Sequence, residues 1–341
     1  MQSLKYFWSS FALAAVGLVA AYLYKGPAAA VIVGVLMILE TSLSFDNAVV
    51  NARVLAGMDE IWRRRFILWG MPIAVFGMRL VFPLLIVGLT ASLDPISVLD
   101  MAINSPDLYA STLIGVHHQI AAFGGAFLML VFLKFFLDAS KDHHWVHVLE
   151  APLAKFGKLE SVQILLTTLA VLLTASFMDD AHHKLEFVTA GAWGVITYIL
   201  ADGIGAFLGD DAGEVGATVA KTGLAGFIYL ELVDASFSFD GVIGAFALSH
   251  DLFIIAIGLG IGAMFVRSLT LLMVDRGTLT AYRFLEHGAF WGIGALAVLM
   301  FVSVHYEIPE VITGLIGATL IGLALYSSIR ANRRDAIQPS A

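Results

Sequence analysis

Apolar residues run along this chain in long blocks separated by short polar breaks. The blocks fall at about 7–24, 27–50, 66–90, 113–137, 161–178, 186–208, 217–248, 252–274, 288–306 and 308–328. Crossing about 30 Å of hydrocarbon takes roughly 20 helical residues, so each block is a candidate transmembrane helix. The fifth is the shortest, and only "HYEIP" separates the last two. The pattern predicts an all-α polytopic membrane protein of nine to ten transmembrane helices.

Composition agrees. Of 341 residues, 59% are hydrophobic and 13% charged, and the mean hydropathy of +0.88 excludes an ordinary soluble domain, whose surface must be wet. With no cysteine, neither disulfides nor thiolate metal sites are available. The net charge of -8 comes with no basic stripe or domain, which argues against nucleic acid as a partner.

Positive charge sets the expected orientation. With the N-terminus inside, fifteen Lys and Arg residues fall on the cytoplasmic side, among them Arg53, Arg63 to Arg65, Lys134, Lys158, Lys221 and Arg283, while Lys25 and Lys184 fall outside. Both termini are then cytoplasmic, in what is expected to be a bacterial inner membrane. The first block has some marks of a secretory signal, with Lys5 before it and "GPAAA" after it, but it is long for an h-region and reads as a retained span.

One motif occurs twice, as "SLSFDNAVVNA" at 42–52 and "SFSFDGVIGAF" at 236–246. The 194-residue offset aligns Asp46 with Asp240 and Glu40 with Asp234, and the second copy adds Glu231. Each copy precedes an apolar span carrying one arginine, Arg79 or Arg267, and then a span with His118 or His287 seven residues before a Gly-Ala pair. The motif helices are the second and seventh blocks, an odd number of crossings apart, so the two three-helix units are expected to be inverted, a plan that places substrate sites at mid-membrane. The expected organisation is an N-terminal span (1–26), a first repeat (27–138), a connector with two linking spans (139–216), a second repeat (217–306), a final span (307–329) and a polar tail (330–341).

Burying an ionised group at the bilayer centre costs at least roughly 2.5–3.5 kcal/mol, so Glu40, Asp46, Glu231, Asp234 and Asp240 need partners. Arg79 and Arg267 offset two of the five as counter-charges or gates. A divalent cation, or protons in its absence, would offset the rest. Carboxylates, serines, Asn47 and backbone carbonyls form an all-oxygen ligand set suited to Mn²⁺, Ca²⁺ or Mg²⁺. Residues six apart on a regular helix differ by about 240° around the axis, so breaks are expected near Ser-Phe-Asp-Asn and Ser-Phe-Asp-Gly if the acids are to share a site.

Blander readings stand beside these. The acids could only pair with the arginines, and the arginines could only clamp helices. His118 and His287 are a proton relay or satisfied membrane histidines. "DHHWVH" at 142–147 reads as loop surface, and "DDAHH" at 179–183 as an outer patch attracting cations without being a site.

The E-x5-D-N motif in an early span and E-x2-D-x5-D in a later one, each followed by an Arg-bearing span, resemble the TerC/Alx family of membrane proteins, linked to tellurium resistance and manganese export. The resemblance covers roughly residues 30–138 and 217–328. It implies Mn²⁺ efflux through the motif acids, and the "SFDN" and "SFDG" spellings with the long middle section mark a divergent branch. The expected function is therefore a secondary transporter, not an enzyme, exporting a divalent metal in exchange for protons. The alternatives are an intramembrane aspartyl-type hydrolase and a membrane subunit assisting metallation of exported proteins. The oligomeric state cannot be read from the sequence.

Overall fold

The structure, a computed structural model, describes residues 4–70, 72–139, 141, 143–157, 161–207 and 223–337, and only the backbone of residues 74, 75, 90, 204–207, 239, 240 and 310. Lys158, Lys221, the predicted boundary at 216 and the end of the tail lie outside the described residues, as does the side chain of Asp240.

The described residues form helices and no strands. Six helices are long and apolar enough to cross a membrane: α1 (Leu4–Leu43), α7 (His117–Leu137), α10 (Ala181–Phe207), α12 (Leu252–Asp275), α14 (Leu285–Ser303) and α15 (Glu310–Ile337). Repeated apolar helices of this length make the chain an integral membrane protein. Between them lie α2 (Phe45–Gly57), α3 (Glu60–Arg65), α4 (Phe82–Ala91), α5 (Pro95–Asn104), α6 (Pro106–Gly115), α8 (His147–Phe156), α9 (Val162–Ser176), α11 (Gly223–Ala245) and α13 (Thr278–Ala281).

α1 is two helices joined at Lys25 and Gly26. Gly26 has φ +80°, and Pro27 starts the second half, which suits glycine's tolerance of positive φ and proline's place in a first helical turn. The halves run in opposite directions along α12. In the first, Ser10 hydrogen-bonds Met264 and Ser268, Gly17 faces Ile257 and Ile261, and Lys25 pairs with Asp251. In the second, Val33 and Leu36 face Gly258, and Met37 and Glu40 face Gly262. Such glycines let helix backbones approach where lipid supplies no hydrophobic drive.

Polar pairs sort to the two ends of the bundle. One end carries Tyr6 with Asp275 (2.8 Å), Arg53 with Glu286 (3.0 Å) and Arg283 with Asp335 (2.7 Å). The other carries Lys25 with Asp251 (2.5 Å), His250 with Asp107 (2.5 Å) and His118 with Glu186 (2.8 Å). α7 and α10 are parallel, because they touch at His118 and Glu186 near their starts and at Lys134 and Asp202 further along. Phe135 and Phe290 stack with centroids 3.8 Å apart, joining α7 to α14 in the largest apolar cluster.

Two local structures depart from the sequence reading. The break between the blocks at 66–90 and 113–137, which the hydropathy pattern leaves as a connecting loop, folds largely as α5 and α6, with Asp94 capping α5 by accepting from Ile96 N and Ser97 N. The span predicted at 66–90 is π-helical over Phe66–Gly70 and Ile73–Val81 before continuing as α4, a form that concentrates at functional positions.

Candidate metal centre

Ser44 interrupts the first motif helix at φ -95°, ψ 25°, with its hydroxyl donating to Glu40 at 3.1 Å. The bend turns Glu40 and Asp46 toward one cavity despite their six-residue spacing. The second motif does not break: α11 stays helical from Gly223 to Ala245. There Ser236 donates back to the Leu232 carbonyl at 2.9 Å, so its hydroxyl is satisfied inside the helix and does not compete with it.

Two cavities result. The first, of about 40 Å³, is lined by Asn47, Asn51, Arg79, Glu231, Asp234 and Arg267, with Phe66, Gly70, Ala263, Val266 and Thr270. The second, of about 50 Å³, is lined by Glu40, Ser44, Asp46, Phe237 and Gly241, with residues of α12, α14 and α15. Either exceeds the space of a single water. Leu259 borders the second, and residues from Ala263 to Thr270 border the first. At 1.5 Å per residue, their centres lie about 10 Å apart along α12.

A thin polar partition separates them. Arg79, 2% exposed, donates to Glu40, 6% exposed, and Asn47 donates to Asp234 at 2.5 Å. Asp46 and Asn47 are neighbours in sequence yet face opposite cavities. The acids expected to form one cluster are therefore divided, with Glu40 and Asp46 on one side and Glu231 and Asp234 on the other. Asp240 lies on α11 beside Gly241, whose added Cβ would sit 3.3 Å from Glu40.

The first cavity has the clearer chemistry. Both carboxylate oxygens of Glu231, Asp234 Oδ2, Asn47 Oδ1 and Asn51 Oδ1 are buried without a hydrogen-bond donor. Buried acceptors left unpaired cost free energy, and these converge from two helices on one small space. Gly70 keeps the wall open, since a Cβ there would lie 2.6 Å from Glu231 Oε1. Arg267 donates to the Ile67 carbonyl at 2.7 Å and closes another wall. A cation meeting these oxygens would complete them, and the all-oxygen donor set fits a hard divalent ion.

Asn51 and Gly70 were not singled out from sequence. Asn51 was available to a helical reading, lying one turn after Asn47 on the same face, whereas Gly70 becomes visible only through the packing of α11. His118 and His287 lie at opposite ends, away from the acids. His287 Nε2 is 2.9 Å from the His143 carbonyl and 3.5 Å from Glu150. Glu150, 1% exposed, also accepts from Trp145 N, Val146 N and Trp291 Nε1, so part of "DHHWVH" is tied into the bundle.

Residues 45–335 match a family model described as "Protein of unknown function (DUF475)". No curated protein matches the chain, and neither does any solved structure.

Proposed function

We propose, for a chain that belongs to the DUF475 family, that it is a secondary transporter carrying a divalent metal cation, Mn²⁺ in the first instance, across the membrane in exchange for protons. The observation that carries this reading is the set of unpaired oxygens of Asn47, Asn51, Glu231 and Asp234 around the first cavity. The acids on the two motif helices outnumber the two arginines near them, a surplus that a divalent ion would largely offset. Protons taken up when the ion leaves would keep the site from standing uncompensated in a low dielectric.

An inverted repeat underlies the scheme. Its support is that the first motif passes the second cavity at Glu40 and Ser44 before reaching the first at Asn47 and Asn51, while the second motif passes the first at Glu231 and Asp234 before reaching the second at Phe237 and Gly241. The copies thus run antiparallel past one partition, as alternating access between inverted halves requires. The ten-span count follows from taking α1 as two spans and adding the shorter apolar helices at Phe76–Leu89 and Val162–Ser176 together with α11. The end bearing Tyr6, Arg53 and Arg283 would face the cytoplasm.

The test is Mn²⁺ flux in liposomes holding the purified protein alone, driven by a pH gradient. Asp234→Asn and Glu231→Gln are expected to cut flux at least 10-fold, as are Asp46→Asn and Asp240→Asn, with Ca²⁺ and Mg²⁺ competition ranking the ions. Flux that survives loss of both Glu231 and Asp234 would rule the site out.

A further inference from the structure

A second group of metal-competent side chains lies at the end of the bundle marked by Lys25 and Asp251. His118, at the start of α7, meets His183 and Glu186 in the first two turns of α10. One ligand atom from each lies within 4.8 Å of the others. His118 Nε2 is 2.8 Å from Glu186 Oε2, and the His118 and His183 ring centroids are 4.7 Å apart. His183 and Glu186 are three residues apart on one helix, which puts them on one face, and the parallel run of α7 and α10 brings His118 to that face.

We propose that His118, His183 and Glu186 form a divalent-cation site of zinc-like preference that links α7 to α10, distinct from the carboxylate centre. Zn²⁺ takes nitrogen and oxygen ligands at roughly 2.0–2.2 Å, so tetrahedral partners lie roughly 3.3 Å from one another. The ligand atoms, within 4.8 Å of one another, would have to close by at most roughly 1.5 Å to reach that spacing. Two imidazoles and one carboxylate are a borderline donor set, favouring Zn²⁺, Co²⁺ or Ni²⁺ over the hard ions suited to the all-oxygen centre.

Access and support are both present. His118 is 12% and Glu186 29% exposed, while His183 is 56% exposed, so the group is anchored on α7 and open on the α10 side. Asp180 accepts from His183 N at 2.8 Å, which fixes the first turn of α10, and its Oδ1 lies 4.0 Å from His183 Nδ1, beyond hydrogen-bond reach of the ring. His182, 77% exposed with Nε2 3.3 Å from Glu186 Oε1, is a bystander, and water supplies the fourth ligand.

Full-length protein in detergent, titrated with Zn²⁺ at pH 7.5 and with Co²⁺ followed by its visible absorption, tests this. One equivalent of Zn²⁺ is expected to bind and Co²⁺ to give tetrahedral bands. His118→Ala, His183→Ala and Glu186→Gln each weaken binding at least 10-fold, while His182→Ala and Asp234→Asn leave it within about 3-fold. Should His118→Ala fail to fold, the exposed His183→Ala decides alone. Undiminished Zn²⁺ binding in His183→Ala, or loss of the same equivalent in Asp234→Asn, would overturn the assignment. Because Asp234 belongs to the transport centre alone, failure here and failure of the transport reading are separable.

Discussion

Replacing Arg79 by Gln removes one member of a pair that burial makes costly to break. Exposed ion pairs contribute about 0–1 kcal/mol, and Arg64 with Glu60, 78% and 76% exposed, is such a pair within this protein. Arg79 and Glu40 are 2% and 6% exposed, which places them in the other regime, where removing one partner strands the remaining charge and costs about 3–5 kcal/mol. The Arg79 charge also acts on Asp234, so the loss reaches both cavities. Reversible unfolding in mixed detergent should give that figure for Arg79→Gln. It should give less than about 1 kcal/mol for Arg64→Gln. The Glu40→Gln/Arg79→Gln double variant deletes both charges and should be more stable than Arg79→Gln alone. Because the pair separates two cavities, Arg79→Gln should also let protons leak through liposomes. A cost below about 1 kcal/mol for Arg79→Gln, or costs of the two substitutions that simply add, would refute the assignment of this pair as a buried partition.

Three other outcomes are expected. Gly194→Ala places a Cβ 2.4 Å from the Phe123 carbonyl, so it should force α7 and α10 apart at a cost of about 1–3 kcal/mol, measurable as a lower unfolding midpoint. Asn51→Leu should weaken Mn²⁺ binding with little loss of stability, since it replaces an unpaired buried acceptor by an apolar group; unchanged affinity in a metal titration would remove Asn51 from the site. Lys141, in the loop after α7, is pushed down to about 7 by burial and then by Arg53, with Glu150, Asp138 and Glu286 pulling the other way. Its folded pKa lies below its unfolded one, so the unfolded chain holds the extra proton between the two values and stability should rise as pH climbs from about 7 toward 10. Lys141→Met should flatten that rise and be the more stable protein at pH 6, as urea titrations across pH would reveal.

Much of this was legible where local chemistry decides the outcome. Membrane residence followed from block length, and the joint in α1 from the gap between the blocks at 7–24 and 27–50; Glu40, Asp46, Glu231 and Asp234, expected to avoid lipid because carboxylates are costly in hydrocarbon, line the two cavities. The division of those acids between two cavities was not legible. It depends on a single bend at Ser44, while Ser238, in the equivalent position, lies inside an unbroken α11 with its hydroxyl unpaired; the sequence makes the two serines look alike, and only packing separates them. The role of Glu150 was hidden for a similar reason, because its partners are backbone groups of its own loop and a tryptophan and histidine about 140 residues away. π-helical winding leaves no periodic signature in Ile73–Val81, where Arg79 is the one charged residue in an otherwise apolar stretch.

That winding has a mechanical meaning. Arg79 is held by a coil that carries more residues per turn than its neighbours. If the coil tightened to ordinary α geometry by giving up one residue, everything beyond would rotate by roughly 100°. Arg79 would then swing away from Glu40 without any helix having to tilt. The segment is wound like a spring with one catch, and releasing the catch would join the two chambers by turning α4 beyond it about its own axis.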